Sequence, residues 1–168
     1  MTTTSEPPRE GLLLPGFQLP RSGGGVVRVR AYRGRRALVL VFVHDATCDE
    51  CRTYLCRALA VYAAYGDEDT EVVAVVPDSA ERAAALHHTL ALPFPVAIDH
   101  DGAVARRYGL TPGRDAAVMV TDRFGEPRIW HICGAHHDFP NHDELIAEAR
   151  YLALTCSGGC SVPIWSDP

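Results

Sequence analysis

The chain has 168 residues, a mass of 18.3 kDa and a composition that is 47% hydrophobic and 22% charged, which is enough for one buried core and excludes a mainly disordered state. Its formal net charge is −5, and all 16 of its basic residues are arginines. These features exclude broad nucleic-acid binding, Schiff-base catalysis by a lysine and a phosphate loop that depends on a lysine.

No segment predicts a membrane span or a secretory signal. The longest apolar run, Ala37–Val43, is far shorter than the ~20 residues that cross a bilayer. The first residues lack both a basic start and an apolar stretch. We therefore expect a cytoplasmic chain with no membrane partner, whose six cysteines serve as thiols, metal ligands or catalytic dithiols rather than as structural disulfides.

The hydrophobic pattern predicts one folded domain over residues 11–155, after a flexible leader at 1–10 and before a cysteine-containing tail at 156–168. In chain order it predicts strands over 26–32, 37–44, 71–76, 94–98, 116–121 and 128–133, and helices over 49–65, 79–90, 102–108 and 141–154. Asp78 and Glu81 form a candidate capping box for the second helix.

The order of these elements predicts an α/β fold with a central mixed sheet flanked by helices. Strands alternate with helices first, and an antiparallel hairpin and a last helix follow. The unbroken apolar run of Ala37–His44 is typical of a central strand that is covered on both faces.

Two thiols stand where this central strand is expected to pass into a helix. Cys48 and Cys51 are three residues apart, so that one helical turn would hold both sulfurs within reach of each other. The unpaired N–H groups and the dipole of a helix N-terminus favour a thiolate over a thiol. Asp49 and Glu50 oppose this effect, whereas Arg52 and His44 favour it. The spacing therefore predicts a redox-active dithiol.

Three segments of the chain resemble the peroxiredoxin-like (alkyl hydroperoxide reductase and thiol-specific antioxidant) branch of the thioredoxin-like superfamily. They are the opening Gly11–Pro20, the strand segment Tyr32–Phe42 and the hairpin segment Val118–Glu126. The resemblance implies a thioredoxin-like fold and a thiol-dependent oxidoreductase or peroxidase without an organic cofactor. It also implies a thioredoxin-type protein or a small thiol as electron donor, a peroxide or disulfide as substrate, and a possible homodimer.

The cysteine segment departs from the peroxiredoxin pattern Pro-x-x-x-Thr-x-x-Cys. If Cys51 aligns with its cysteine, Cys48 stands in place of the threonine and His44 in place of the proline. Arg114 is the arginine closest to where that family has its supporting arginine. An oxidoreductase would use Cys48 as the attacking thiol and Cys51 to resolve, whereas a peroxidase would oxidise Cys51 to a sulfenic acid with which Cys48 condenses.

The remaining cysteines and histidines leave several alternatives open. Cys156 and Cys160 could relay electrons to the dithiol, or could complete a four-thiolate zinc site with Cys48 and Cys51 in a zinc-binding or regulatory module. A third possibility is a pathway-specific enzyme on the same scaffold. The sequence further predicts that Cys56 and Cys133 are small buried hydrophobes, that His44 either packs or carries protons, and that the histidines between 131 and 142 lie in a solvated loop.

Overall fold

A computed structural model describes residues 13–134 and 136–155 of the chain. The strands are β1 (Gln18–Pro20), β2 (Val26–Arg28), β3 (Ala37–Phe42), β4 (Thr70–Val76), β5 (Val96–Ile98), β6 (Ala116–Thr121) and β7 (Pro127–Cys133). The helices are α1 (Asp49–Ala60), α2 (Tyr62–Asp67), α3 (Ala80–Thr89), α4 (Ala103–Arg107) and α5 (His142–Thr155). None of these helices is long and apolar enough to cross a membrane.

The main sheet has five strands in the order β5-β4-β3-β6-β7, and β1 and β2 form a separate antiparallel pair. The pairs β3/β4 and β4/β5 are parallel, whereas β3/β6 and β6/β7 are antiparallel. This mixed sheet confirms the predicted α/β fold. Its topology also brings the C-terminal ends of β3 and β7 to one edge of the sheet, because each of them is antiparallel to β6.

All six residues of β3 are buried because both faces of the sheet are covered. On one face Val39 and Val41 pack with residues of α1, α3 and α5. On the other face Leu38, Leu40 and Phe42 pack with the N-terminal segment and α4. The unbroken apolar run in the sequence follows from this double coverage.

Three local expectations from the sequence are wrong in detail. The strand expected over 26–32 ends at Arg28 and continues as a 3-10 helix over Val29–Tyr32, which buries Val29. The helix expected over 49–65 breaks at Val61, where α1 ends and α2 begins. Ser79, not Asp78, caps α3, since its side chain accepts a hydrogen bond from the N–H of Arg82.

The expectation that Cys56 is buried is also wrong, because Cys56 is exposed. Helix α1 buries Cys51, Tyr54, Leu55 and Ala58, which recur at helical spacing and form one face. Cys56 follows Leu55 directly, and a step of about 100° around the helix turns it off that face.

Candidate active site

The candidate site lies at the edge of the sheet where β3 ends and the chain turns into α1. The Asp45 carboxylate organises this turn, because it accepts hydrogen bonds from the N–H of Thr47 at 2.6 Å, the hydroxyl of Thr47 at 2.7 Å and the N–H of Cys48 at 3.0 Å. Burial opposes ionisation of Asp45, but these hydrogen bonds outweigh it and hold the pKa of Asp45 below its usual range. The turn therefore places Cys48 at the start of the helix.

The two cysteines differ in exposure. Cys48 is the N-cap residue of α1, is half-buried, and accepts a hydrogen bond to its sulfur from the N–H of Cys51 at 3.5 Å. Cys51 is 1% exposed, and burial raises the pKa of its thiol above the usual range. Both are free thiols in this structure. Of the two, Cys48 is therefore the thiol that a reactant can reach.

His44 contacts both sulfurs from the end of β3. It is buried, and its Nδ1 lies 3.5 Å from Sγ of Cys48 and 3.4 Å from Sγ of Cys51. The side chain is therefore a direct partner of the dithiol and does not merely fill space in the core.

His137 is the site residue that the sequence pattern did not reveal. Its Nε2 lies 3.4 Å from Sγ of Cys48 and 3.0 Å from Nδ1 of His44, although 89 residues separate His137 from the cysteine. The residue is half-buried and follows β7, so the prediction of a solvated loop is wrong for it. The feature of the sequence that could have placed His137 at the site was the predicted hairpin. A strand that pairs antiparallel with β6 ends at the same edge of the sheet as β3, and His137 follows that strand.

An aromatic stack holds the loop that carries His137 against α1. The ring of Tyr54 lies between Phe139 and His142, with ring centroids 4.2 Å apart on each side and interplanar angles of 12° and 20°. Offset-stacked rings of this kind add free energy beyond the area they bury. The loop is therefore attached to the helix that carries the dithiol.

His142 is a structural residue rather than part of a solvated loop, which corrects the expectation from the sequence. It is buried, its Nε2–H donates to the backbone oxygen of Tyr54 at 3.2 Å, and its Nδ1 accepts from the hydroxyl of Tyr65 at 2.8 Å. Burial lowers the pKa of this imidazole below its usual range. His136 is exposed, as the loop prediction required.

The other predicted site residues lie as follows. Arg114 is exposed over 82% of its side chain and has Asp115 as its ion-pair partner at 4.0 Å. Cys133 is buried as expected, and this burial raises the pKa of its thiol to about 12. Cys156 and Cys160 fall outside the described residues.

Glu50 is an acidic side chain next to the sulfur of Cys48. Its Oε2 lies 3.5 Å from Sγ of Cys48. The backbone N–H of Glu50 itself, the Cys48 thiol and the nearby His137 lower the pKa of this exposed carboxyl. This contact agrees with the sequence prediction that Glu50 opposes a negative charge on Cys48.

His44, Cys48, Cys51 and His137 together offer two nitrogen and two sulfur donors. All four donor atoms lie within 4.8 Å of one another, which makes the group a candidate metal site as well as a candidate redox site.

Comparison with known proteins gives relatives in sequence and in structure. A Mycobacterium tuberculosis protein named "Putative peroxiredoxin Rv2521" is 30% identical over 95 residues, which are 56% of this chain and 60% of that protein, so the chain spans less than two thirds of this relative. The structure titled "Crystal structure of a putative Thiol:disulfide interchange protein DsbE from Chlorobium tepidum" is 26% identical, with a TM-score of 0.72 over 88% of this chain and 99% of that one. The reduced 2-Cys peroxiredoxin of Plasmodium vivax shares the fold at a TM-score of 0.78 and 16% identity, over 88% of this chain and 98% of that one.

The sequence profile described as the AhpC/TSA family matches residues 11–126, from the segment before β1 to the turn between β6 and β7. The match includes β3, both cysteines of the site and His44. Together with the mixed sheet and the dithiol at the start of α1, it confirms the resemblance found in the sequence: the chain belongs to the AhpC/TSA family.

Proposed function

We propose that the chain is a thiol-dependent oxidoreductase in which Cys48 attacks the substrate and Cys51 resolves the intermediate. The observation that carries this proposal is the difference in exposure between two adjacent sulfurs. Cys48 is half-buried at the start of α1, whereas Cys51 is 1% exposed one turn further on. A substrate therefore reaches Cys48 first, and Cys51 is shielded until the intermediate has formed.

With a disulfide substrate the reaction consists of two exchanges. The Cys48 thiolate attacks one substrate sulfur, which forms a mixed disulfide and releases the other substrate sulfur as a thiolate. Cys51 then loses its proton and attacks Sγ of Cys48, which releases the second thiolate and leaves a disulfide between Cys48 and Cys51. The substrate gains two electrons, and the protein dithiol loses them.

A peroxide is the second candidate substrate, and the peroxiredoxin name of the sequence relative supports it. The Cys48 thiolate would attack one oxygen and become a sulfenic acid, while the other oxygen leaves and is protonated to an alcohol or water. Cys51 would condense with this sulfenic acid, giving the same disulfide and one water. The order of exposure supports Cys48 as the attacking thiol in both reactions.

His44 is the proposed hydrogen-bonding partner of the dithiol, because its Nδ1 contacts both sulfurs. The same nitrogen can hydrogen-bond to either sulfur without a movement of the side chain. The contacts of Arg114 among the described residues give no support to a catalytic role for it. A thioredoxin-type protein or small thiol as electron donor, the absence of an organic cofactor, a homodimer and a cytoplasmic location stay predictions.

The proposal is tested by trapping the intermediate. A Cys56→Ser background removes an exposed thiol that lies off the buried face of α1. In that background the reduced Cys51→Ser variant, treated with the aromatic disulfide dithionitrobenzoate, should keep a mixed disulfide on Cys48. The unmodified pair should instead form the Cys48–Cys51 disulfide, as mapped by mass spectrometry of peptides.

Two further measurements complete this test. The Cys48→Ser variant should leave Cys51 unmodified over the same time, because Cys51 is buried. A parallel experiment with hydrogen peroxide and a dithiol reductant measures peroxidase turnover. If Cys48 and Cys51 stay unlinked while another pair of cysteines changes, the assignment of the site is wrong.

A further inference from the structure

The four donor side chains of this site lie closer together than the exchange reaction of a dithiol requires. The nitrogen of His137 has no part in the exchange chemistry, yet it lies within 3.4 Å of a sulfur and 3.0 Å of the nitrogen of His44. We propose that the reduced chain binds one Zn²⁺ ion through Nδ1 of His44, Sγ of Cys48, Sγ of Cys51 and Nε2 of His137. This set replaces Cys156 and Cys160 of the zinc alternative with two histidines.

Four of the six distances between the donor atoms lie within about 0.3 Å of the edges of a zinc tetrahedron. Zinc bonds of about 2.0–2.1 Å to nitrogen and about 2.3 Å to sulfur give tetrahedral edges of about 3.3 Å between nitrogens and about 3.5 Å between nitrogen and sulfur. The nitrogen–nitrogen edge of the site is 3.0 Å. Three nitrogen–sulfur edges are 3.5, 3.4 and 3.4 Å, and every pair of donors lies within 4.8 Å.

Hydrogen bonding alone does not explain this convergence. Nδ1 of His44 lies within 3.5 Å of three other donor atoms, but one ring nitrogen of a neutral imidazole either donates or accepts a single strong hydrogen bond. A cation at the centre satisfies all four lone pairs together. The geometry therefore fits a common metal better than it fits a set of pairwise hydrogen bonds.

The donor types select the cation. Two thiolates and two imidazoles in a tetrahedron suit Zn²⁺, whereas Mg²⁺ and Ca²⁺ prefer carboxylate, carbonyl and water oxygens. Binding removes the protons of both thiols, which pass to solvent, and the two thiolate charges then balance the charge of the ion. A neutral centre is compatible with a site that buries His44 and Cys51.

The fold holds the ligands before the ion arrives. His44, Cys48 and Cys51 lie on one continuous stretch from the end of β3 to the first turn of α1. The stack of Phe139 on Tyr54 holds the loop that supplies the fourth ligand. Cys48 and His137 are half-buried, so the ion enters from their side.

Zinc and the proposed redox reaction compete for the same sulfurs, and this consequence rests on the proposed function. A Cys48–Cys51 disulfide has no thiolate to offer, so the oxidised chain does not bind the ion. Conversely, bound zinc withholds both thiolates from a reactant. Zinc binding would thus set the fraction of the protein that can react.

The zinc site is tested by binding and spectroscopy rather than by turnover. The reduced full-length chain is titrated with Zn²⁺ against a chromophoric chelator in the absence of oxygen, and Co²⁺ serves as the spectroscopic probe. We expect one Zn²⁺ per chain, and a Co²⁺ complex with the visible bands of a tetrahedral ion and thiolate charge-transfer absorption.

A matched pair of histidine variants makes the test specific. His137 has φ 54°, a left-handed conformation that asparagine tolerates well, so His137→Asn keeps the backbone and removes the ligand. The adjacent His136 is exposed, and His136→Asn is the control. Since loss of a supporting group costs about 10–100-fold in metal affinity, loss of a direct ligand should weaken zinc binding by at least about 100-fold. His136→Asn and the double variant Cys156→Ser/Cys160→Ser should bind as the parent does.

Three outcomes of these binding measurements contradict the zinc site. Binding of fewer than one Zn²⁺ by the reduced chain, unchanged affinity in a folded His137→Asn variant, or lost affinity in the double cysteine variant would each overturn it. Trapping of substrate on Cys48 without zinc binding would refute the zinc site alone. Zinc binding without any linkage of Cys48 to Cys51 would refute the proposed oxidoreductase alone.

Discussion

Replacement of Phe139 by leucine tests whether the aromatic stack positions His137. The ring of Phe139 lies 4.2 Å from that of Tyr54 at an interplanar angle of 12°. Leucine keeps an apolar side chain at this position but loses the stacking, which is worth about 0.5–1.5 kcal/mol beyond buried area. Phe139→Leu should therefore loosen the loop that carries His137 without removing a zinc ligand.

The expected size of the effect follows from this free energy. If the loop must be ordered before the nitrogen of His137 can bind the ion, the lost stacking energy raises the dissociation constant of zinc. At about 1.4 kcal/mol for a tenfold change, about 0.5–1.5 kcal/mol corresponds to an increase of about 2- to 12-fold. This is well below the effect expected for loss of the ligand itself.

The assay is the same chelator competition, with Tyr151→Leu as the matched control. Tyr151 is an aromatic residue of α5 that is 61% exposed, so its replacement should leave zinc affinity unchanged. Urea unfolding of each variant shows whether the fold is intact. Zinc affinity in Phe139→Leu equal to that of the parent, or as weak as that of His137→Asn, would refute the positioning argument.

Two predictions concern stability away from the site. Burial lowers the pKa of His142 in the folded chain, so its stabilising effect is complete above the ordinary value near 6.5 and is lost as the pH falls below it. Urea unfolding of the metal-free chain should show a drop in stability from pH 7.5 to about pH 5.5 that is smaller in His142→Phe, and equal drops would contradict this. Asp99 is fully buried, and its carboxylate accepts hydrogen bonds from the N–H groups of Val104 at 3.1 Å and Ala105 at 2.8 Å. Asp99→Ala should therefore lower the free energy of unfolding by about 1.5–3 kcal/mol. A change below about 0.5 kcal/mol would contradict this role.

The sequence was sufficient for the features that depend on local pattern. The apolar run of β3 identified the central strand, and the cysteine spacing identified the dithiol at the start of α1. Both inferences use neighbours within one turn or one strand, where periodicity and capping chemistry decide the structure. The sequence left open which of the two thiols attacks first, because the order depends on their exposure in the folded chain.

The sequence was not sufficient for contacts that the tertiary fold creates. His137 reaches Cys48 across 89 residues, and its left-handed backbone angle has no signature in a run of histidines. His142, five residues later, becomes part of the core because Tyr54 and Tyr65 supply its partners from two other helices. Local pattern treated both histidines alike, although one contacts the dithiol and the other stabilises the loop beside it.

The two departures from the peroxiredoxin pattern have one physical explanation in the zinc site. The resemblance places His44 where that pattern has proline, so an imidazole replaces a side chain that has no donor atom. It places Cys48 where the pattern has threonine, so a thiol replaces a hydroxyl that is a weak metal ligand. Both replacements contribute donor atoms to the same cluster, and the third donor, Cys51, stands at the cysteine of the pattern. Only His137 comes from elsewhere, at the end of the strand that the sheet order brings to the same edge. A site that only exchanged disulfides would use the second thiol and His44 but would not need the nitrogen of His137. Variants of His137, rather than variants of the cysteines, therefore separate the two functions.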